Sequence, residues 1–262
     1  MDQLPPAAVW PADWAGAAIS TCAPGAIFWN PEVMSGALGL ALMSAAAQAE
    51  TIGGLAYADT ARFSAAMQAT DPYTITGTDD LMQLAPIAED GAIRAIVEIP
   101  TGTSAKWEVS KEDPKAVYWE YKDDKPRIVN YLGYPGNYGA IPGTALPKEL
   151  GGDGDPLDVL VIGQALPRGE IANVRLIGVL KMLDGGEQDD KLIAVLTQDS
   201  PFAHIETMAQ LDSEFPGVSD IIGTWFANYK GPDGGMESQG FAEADVAREV
   251  LDAAAAQFTA AN

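Results

Sequence analysis

Six short runs rich in β-branched and aromatic residues, spread over residues 93–197, set the strongest limit on what this chain can fold into. They read IRAIVEIP (93–100), KWEVS (106–110), VYWEY (117–121), LDVLVIG (157–163), VRLIGVLKML (174–183) and KLIAVLT (191–197). Polar alternation within the runs and turn formers between them, such as LPRGE and DGGEQDD, predict strands joined by tight connections. Such a series points to a compact β-barrel or sandwich. Beyond residue 220 the apolar period changes: Ile221, Ile222, Trp225, Phe226 and Tyr229 fall on one helical face, as do Val246, Val250, Leu251, Ala254 and Phe258. The expected class is α+β, a barrel-like sheet followed by C-terminal helices, with no internal repeat or heptad.

Residues 1–70 read differently. Ala and Gly dominate, and no Lys or Arg precedes Arg62. The apolar run 34–50 ends in Ala47-Gln48-Ala49, the shape of a secretory signal cleaved after Ala49, although the basic leader of such signals is missing. The alternative is an Ala-rich extension to a protein that stays in the cytoplasm. The run is too short for a stable membrane span. The 262 residues allow one large domain, or one domain with an extension. The composition shift therefore divides the chain into an N-terminal extension, 1–70, and an organised domain, 71–262.

Charge and residue counts exclude several chemistries. With 37 acidic against 15 basic residues and a net charge of −22, the surface opposes unassisted nucleic-acid binding. A single cysteine, Cys22, rules out an intrachain disulfide and a thiolate zinc cage. The only histidine, His204, sits in PFAHIETM, which reads as a helix start after Pro201, and no G-x-S-x-G elbow accompanies it.

In so acidic a chain, GGDGDPLDVL (151–160) stands out by placing Asp153, Asp155 and Asp158 within six positions. Carboxylates crowded this way destabilise one another unless a cation neutralises them. The spacing fails the EF-hand pattern, because Leu157 and Asp158 occupy the fifth and sixth positions counted from Asp153. The glycines let the chain fold back and Pro156 directs its exit, so Asp153 and Asp158 can face one ion while Asp155 points to its water shell. Oxygen-only ligands suit Mg²⁺ or Mn²⁺. A second cluster, DGGEQDDK (184–191), is either an ordinary hairpin loop or, through Asp184 and Asp189, the other side of a multi-metal pocket. Lys106, Arg127, Tyr134, Tyr138, Tyr229 and Lys230 supply the groups that an anionic, phosphate-bearing substrate would need, Tyr134 and Tyr138 from a Pro/Gly-rich stretch that reads as a loop.

Over residues 90–230 the chain resembles the soluble, family I inorganic pyrophosphatases. DGDPLDV (153–159) stands where that family has Asp-x-Asp-Pro-hydrophobic-Asp-hydrophobic, and EIPTGTSAKWEVSKE (98–112), YPGNYGAIPGT (134–144) and GVLKMLDGGEQDDKLIAV (178–195) are similar to three further blocks in the same order. The resemblance implies a five-stranded OB-like barrel with flanking helices, a catalytic domain over 71–262, and hydrolysis of pyrophosphate to two phosphates with several Mg²⁺ ions, or Mn²⁺. It implies Asp153, Asp158 and Asp189 as metal ligands, Asp184 and Glu98 bordering further metal positions, and Asp155 as the general base. Lys106, Arg127, Tyr138 and Tyr229 would hold substrate phosphates, with Glu108, Tyr134, Lys191 and Lys230 around them. The spacing of Arg127 departs from the bacterial pattern, which leaves Lys125 as its alternative, and a basic residue often found after the Tyr-Lys pair has no counterpart in 231–240. The resemblance further implies a homo-oligomer, a hexamer in bacterial members, while charge and the short apolar run argue for no nucleic acid and no membrane anchor. An acidic metal-binding protein without catalysis is the rival; it accounts for the Asp clusters but not for the Lys, Arg and Tyr set.

Overall fold

A computed structural model describes residues 48–52, 55–146 and 155–261. The leader run before residue 48, Cys22, and Asp153 with its glycines lie outside the described residues. Two hairpins come first, β1 (Gln48–Ile52) with β2 (Leu55–Asp59) and β3 (Gln68–Asp71) with β4 (Thr74–Thr76). There follow β5 (Ile93–Ile99), β6 (Trp107–Val109), β7 (Ala116–Trp119), β8 (Tyr121–Lys122), β9 (Lys125–Pro126), β10 (Asn137–Ala140), β11 (Asp158–Ile162) and β12 (Ile171–Asp184). The chain closes with β13 (Glu187–Gln188), β14 (Lys191–Leu196), α1 (Met208–Glu214), α2 (Val218–Asn228), β15 (Met236–Glu243) and α3 (Ala244–Ala261). This is a sheet-rich α+β chain with its helices at the C-terminal end.

The main sheet runs β13-β12-β14-β11-β10-β5, with β15 also on β12. Only the β11–β14 pairing in it is parallel. The 14-residue β12 bends at a register shift between Leu176 and Gly178, and its first half pairs with β5 while its second half pairs with β15. A second sheet, β3-β4-β7-β6, packs its apolar face, including the stacked Trp107 and Trp119, against Ile96 of β5. All six strands expected from the sequence are present within a few residues of their expected limits, because each run carries enough branched and aromatic side chains to fill a sheet face.

Three local readings change. The helix expected after Pro201 begins instead at Met208: residues 201–204 form turns, and Thr207 caps the helix by accepting the Gln210 N–H at 3.0 Å. Ile221 is 64 % exposed, on the edge of the α2 stripe whose centre, Ile222, Trp225 and Phe226, is buried. β10 lies in the Pro/Gly-rich stretch that reads as a loop. It pairs there because Gly139 lets its backbone approach β5; a Cβ at that position would lie 1.8 Å from the Ile96 carbonyl oxygen.

Candidate active site

The ends of several strands converge on one cleft. Glu98 comes from the end of β5, Lys106 precedes β6 and Glu108 lies within it, Tyr138 is on β10, and Asp158 opens β11. From the other side, Asp184 ends β12, the Gly185-Gly186 turn with positive φ reverses the chain, and Asp189 and Lys191 bring it into β14. Tyr229 caps the C-terminal end of α2, and Lys230 follows. Lys106, Glu108, Arg127, Tyr138, Asp155, Asp158, Asp184, Asp189, Lys191, Tyr229 and Lys230 all line this cleft. An adjoining hollow shares Lys106, Glu108, Asp155 and Asp158 with it and adds Glu98.

Lys191 is the pivot. Its buried ammonium donates to Asp158 Oδ2 and Asp189 Oδ1, each at 2.5 Å, and so bridges the two acidic clusters that the sequence keeps 31 residues apart. Burial opposes its charge, but Asp158 and Asp189 outweigh that and hold it above the usual lysine range. Burial raises the Asp189 carboxyl, and Lys191 draws it back. On the far wall, burial pushes Glu98 up to about 8 against the pull of Lys106 and of the Val109 N–H, which donates to it at 2.7 Å. Desolvation works against the Lys106 ammonium, yet Glu98 and Glu108 leave it raised. The phenols stay protonated: burial lifts Tyr138 and Tyr134 well above their ordinary value and Tyr229 to about 12.

The remaining candidates fall as follows. Tyr134 is buried behind the cleft, 5.0 Å from Tyr138 and 4.4 Å from Trp225 between ring centroids, so it backs the wall rather than lining it. Arg127 reaches the cleft with Nη1 donating to both Glu120 oxygens at 2.8 and 2.9 Å, whereas Lys125 is exposed on β9 away from the cleft. Asp155 is half-exposed and paired with Lys111 at 2.5 Å. Lys230 pairs with Asp184. Glu98, which the resemblance sets at the border of a metal position, is 5 % exposed.

Sequence reasoning misses Asp190, which is buried and accepts from Lys181, from the Met182 N–H at 3.0 Å and from Gln188 at 2.6 Å, pinning the acidic hairpin in place. It also misses Glu120, which orients Arg127, and Tyr118, which donates to Glu108 at 2.5 Å. Nothing in the local pattern marks them, because each acts through a neighbouring strand.

Among the described residues no three carboxylate, histidine or cysteine side chains form a ready-made metal cage. The donor set still fits a hard divalent ion: it offers carboxylate oxygens without sulfur or imidazole, and two of its members already face one cation, Lys191. Also among the described residues, no helix is long and apolar enough to cross a membrane.

The family profile described as Inorganic pyrophosphatase matches residues 95–259. The chain is 36 % identical over 165 residues to the inorganic pyrophosphatase of Mus musculus, covering 58 % of this chain and 57 % of the mouse protein. It is 37 % identical over 161 residues to the mitochondrial inorganic pyrophosphatase of Saccharomyces cerevisiae, covering 54 % and 51 %. The match thus spans little more than half the length of these curated relatives. Among solved structures, the inorganic pyrophosphatase of Schistosoma japonicum superposes with a TM-score of 0.65 at 28 % identity, covering 71 % of this chain and 75 % of that one. The Thermus thermophilus inorganic pyrophosphatase gives 0.58 at 28 % identity, covering 69 % and 99 %.

Proposed function

We propose, because this chain belongs to the inorganic pyrophosphatase family, that it hydrolyses pyrophosphate to two phosphates in the cleft between β5, β11 and β14. The observation that carries the reading is the opposition of two kinds of group there. Asp158 and Asp189 converge on one cationic point, and Lys106, Arg127, Tyr138, Tyr229 and Lys230 line the same space. A cleft that only stored metal would have no use for the second set.

Asp153, Asp158 and Asp189 would hold Mg²⁺, or Mn²⁺, with Asp184 and Glu98 at its borders, where the metal's chemistry is to shield the polyanion and acidify a water. Asp155, half-exposed beside them, accepts the proton of the attacking water as its oxygen bonds to one phosphorus and the bridging P–O bond breaks. Lys106, Arg127 and Lys230 hold the phosphoryl oxygens in line and stabilise the departing phosphate. Tyr138 and Tyr229, kept neutral by burial, donate hydrogen bonds rather than repel the anion. Glu108, tied to Tyr118 and 3.4 Å from Lys106, orients that lysine, and Tyr134 backs Tyr138.

The pairings β5–β10–β11–β14–β12 return to β5, which supports a five-stranded OB-like barrel. Residues 71–262 are the catalytic domain in this reading and supply every group that lines the cleft. It assembles as a homo-oligomer, a hexamer as the resemblance implies, which the mass of the purified protein in solution checks. We place it in the cytoplasm, where biosynthesis releases pyrophosphate; a mature protein beginning at Glu50 would place it outside instead. Phosphate release from pyrophosphate, measured with Mg²⁺, with excess chelator and for Asp155→Asn, tests the function. Release that needs Mg²⁺ and is lost in the variant is expected; no release with any divalent metal would reduce the chain to a metal-binding scaffold.

A further inference from the structure

Behind the cleft lies a buried ion pair that the reaction does not use, with one member inside the family-matched residues and the other upstream of them. Arg168 precedes β12 and is fully buried; its Nη1 donates to Asp59 Oδ2 at 2.7 Å. Asp59 ends β2, upstream of the family-matched segment, and is itself almost sealed from solvent. The same carboxylate oxygen accepts the indole N–H of Trp107 at 3.1 Å, while the guanidinium lies 4.3 Å from the Trp107 ring centroid. Arg168 Nε, in turn, donates to the Glu98 carbonyl at 2.9 Å. The two points held are therefore the backbone of Glu98 and the side chain next to Lys106. The segment around Asp59 is fixed in its turn: Arg168 N donates to the Arg62 carbonyl, Ser64 N donates to the Arg168 carbonyl, both at 2.8 Å, and the Ser64 hydroxyl donates to Glu170 at 2.7 Å.

We propose that Asp59 and Arg168 are positioning residues that brace the wall of the active site carrying Glu98 and Lys106. A fully buried pair is a poor way to gain stability, since desolvation consumes most of the attraction between its charges. Its geometry is specific, however. One planar guanidinium reaches a carboxylate, a carbonyl and an aromatic face at once, which a lysine or an apolar pair cannot do. Displacement of Glu98 or Lys106 by a fraction of an ångström would spoil the alignment of the reacting phosphoryl group. The segment upstream of the family match thereby becomes part of the catalytic apparatus. This inference rests on the reading of the cleft as a pyrophosphatase site, and its test includes a readout that does not.

Asp59→Ala alone would strand a buried guanidinium, so the deciding variant is Asp59→Leu with Arg168→Met, which removes both charges and refills the space. Arg168→Lys in the full chain accompanies it, keeping a cation against Asp59 but lacking the Nε–H that holds Glu98. Two quantities are measured at matched folded fraction: kcat on pyrophosphate and amide hydrogen exchange across residues 98–109. In both variants we expect kcat to fall about tenfold and exchange at residues 106–109 to quicken by a similar factor, with β11 and β14 unchanged. Parent-like exchange overturns the brace, and so does faster exchange with parent-like kcat. If the parent itself releases no phosphate, the pyrophosphatase reading fails while the exchange comparison still decides whether the brace exists.

Discussion

Two buried cations, Lys191 and Arg168, illustrate how similar chemistry serves different ends. Lys191 holds two carboxylates and Arg168 one at hydrogen-bonding distance, and each cation is at most 2 % exposed. The acids differ. Those of Lys191, Asp158 and Asp189, are about a third open to the cleft, whereas Asp59 beside Arg168 is 5 % exposed. An acid that reaches solvent can exchange its partner for another cation; one that is sealed cannot. The exposure of the acceptor, rather than the burial of the cation, separates a working site from a fixed strut.

The largest test of that contrast is catalytic. Asp158→Asn leaves the shape of the site but removes an exchangeable charge, and we expect pyrophosphate hydrolysis to fall by about two powers of ten or more. Asp59→Asn, which still offers Trp107 an acceptor, should cost a much smaller factor at the same folded fraction. Initial rates of the two purified variants decide the matter, and equal losses would erase the distinction.

Lys191→Met sharpens the comparison from the side of stability. Without its cation the Asp158–Asp189 pair becomes two adjacent like charges. Urea unfolding in chelator should show a loss of about 2 to 3 kcal/mol, at the low end for a broken buried pair because these acids are partly open. Added Mg²⁺ should recover more stability in this variant than in the parent, since a ligand bound only by the folded chain stabilises it by mass action. Equal recovery would mean that the lysine and the metal do not share the acids.

Much of this arrangement is legible in the sequence, and the gaps have a physical cause. The strands carrying Glu98, Asp158 and Lys191 declare themselves by branched runs, and Asp155 and Asp158 by the crowding of charge around them. β10 and β15 do not, because Gly139 and Gly240 break their patterns and their pairing comes from partners distant in sequence. Asp59 and Arg168 meet across 109 residues, and no local period records such a contact. The burial of Glu98 is hidden for the same reason: its strand end looks like a rim until β6 covers it with the Val109 amide. Asp190 reads as one more acid in an acidic hairpin until its three donors are seen.

Glu98 touches both halves of the comparison, its carbonyl on Arg168 and its carboxyl facing Lys106. Burial raises that carboxyl from 4.5 to about 8, so between those values the folded chain holds a proton that the unfolded chain has lost. In metal-free buffer, stability should therefore decline as pH rises from about 5 to 8 and then level off. Glu98→Gln should flatten that slope in urea titrations at several pH values. An unchanged slope would assign the proton to another group.

The smallest expected effect completes the series at its exposed end. His204 Nε2 lies 2.7 Å from Glu214 Oε2, closer than many partners in the core, yet both side chains are about half in solvent. The hydrogen bond from His204 holds the Glu214 carboxyl below its usual range, which gives a contribution present near neutral pH and lost as pH falls. Water and salt screen such a pair, and ordering two mobile side chains opposes what attraction remains. His204→Ala should leave both the thermal midpoint and the rate of hydrolysis where they were. If it lowers either, partner exposure is not the quantity that ranks the ion pairs of this protein, and the contrast between Lys191 and Arg168 needs another cause.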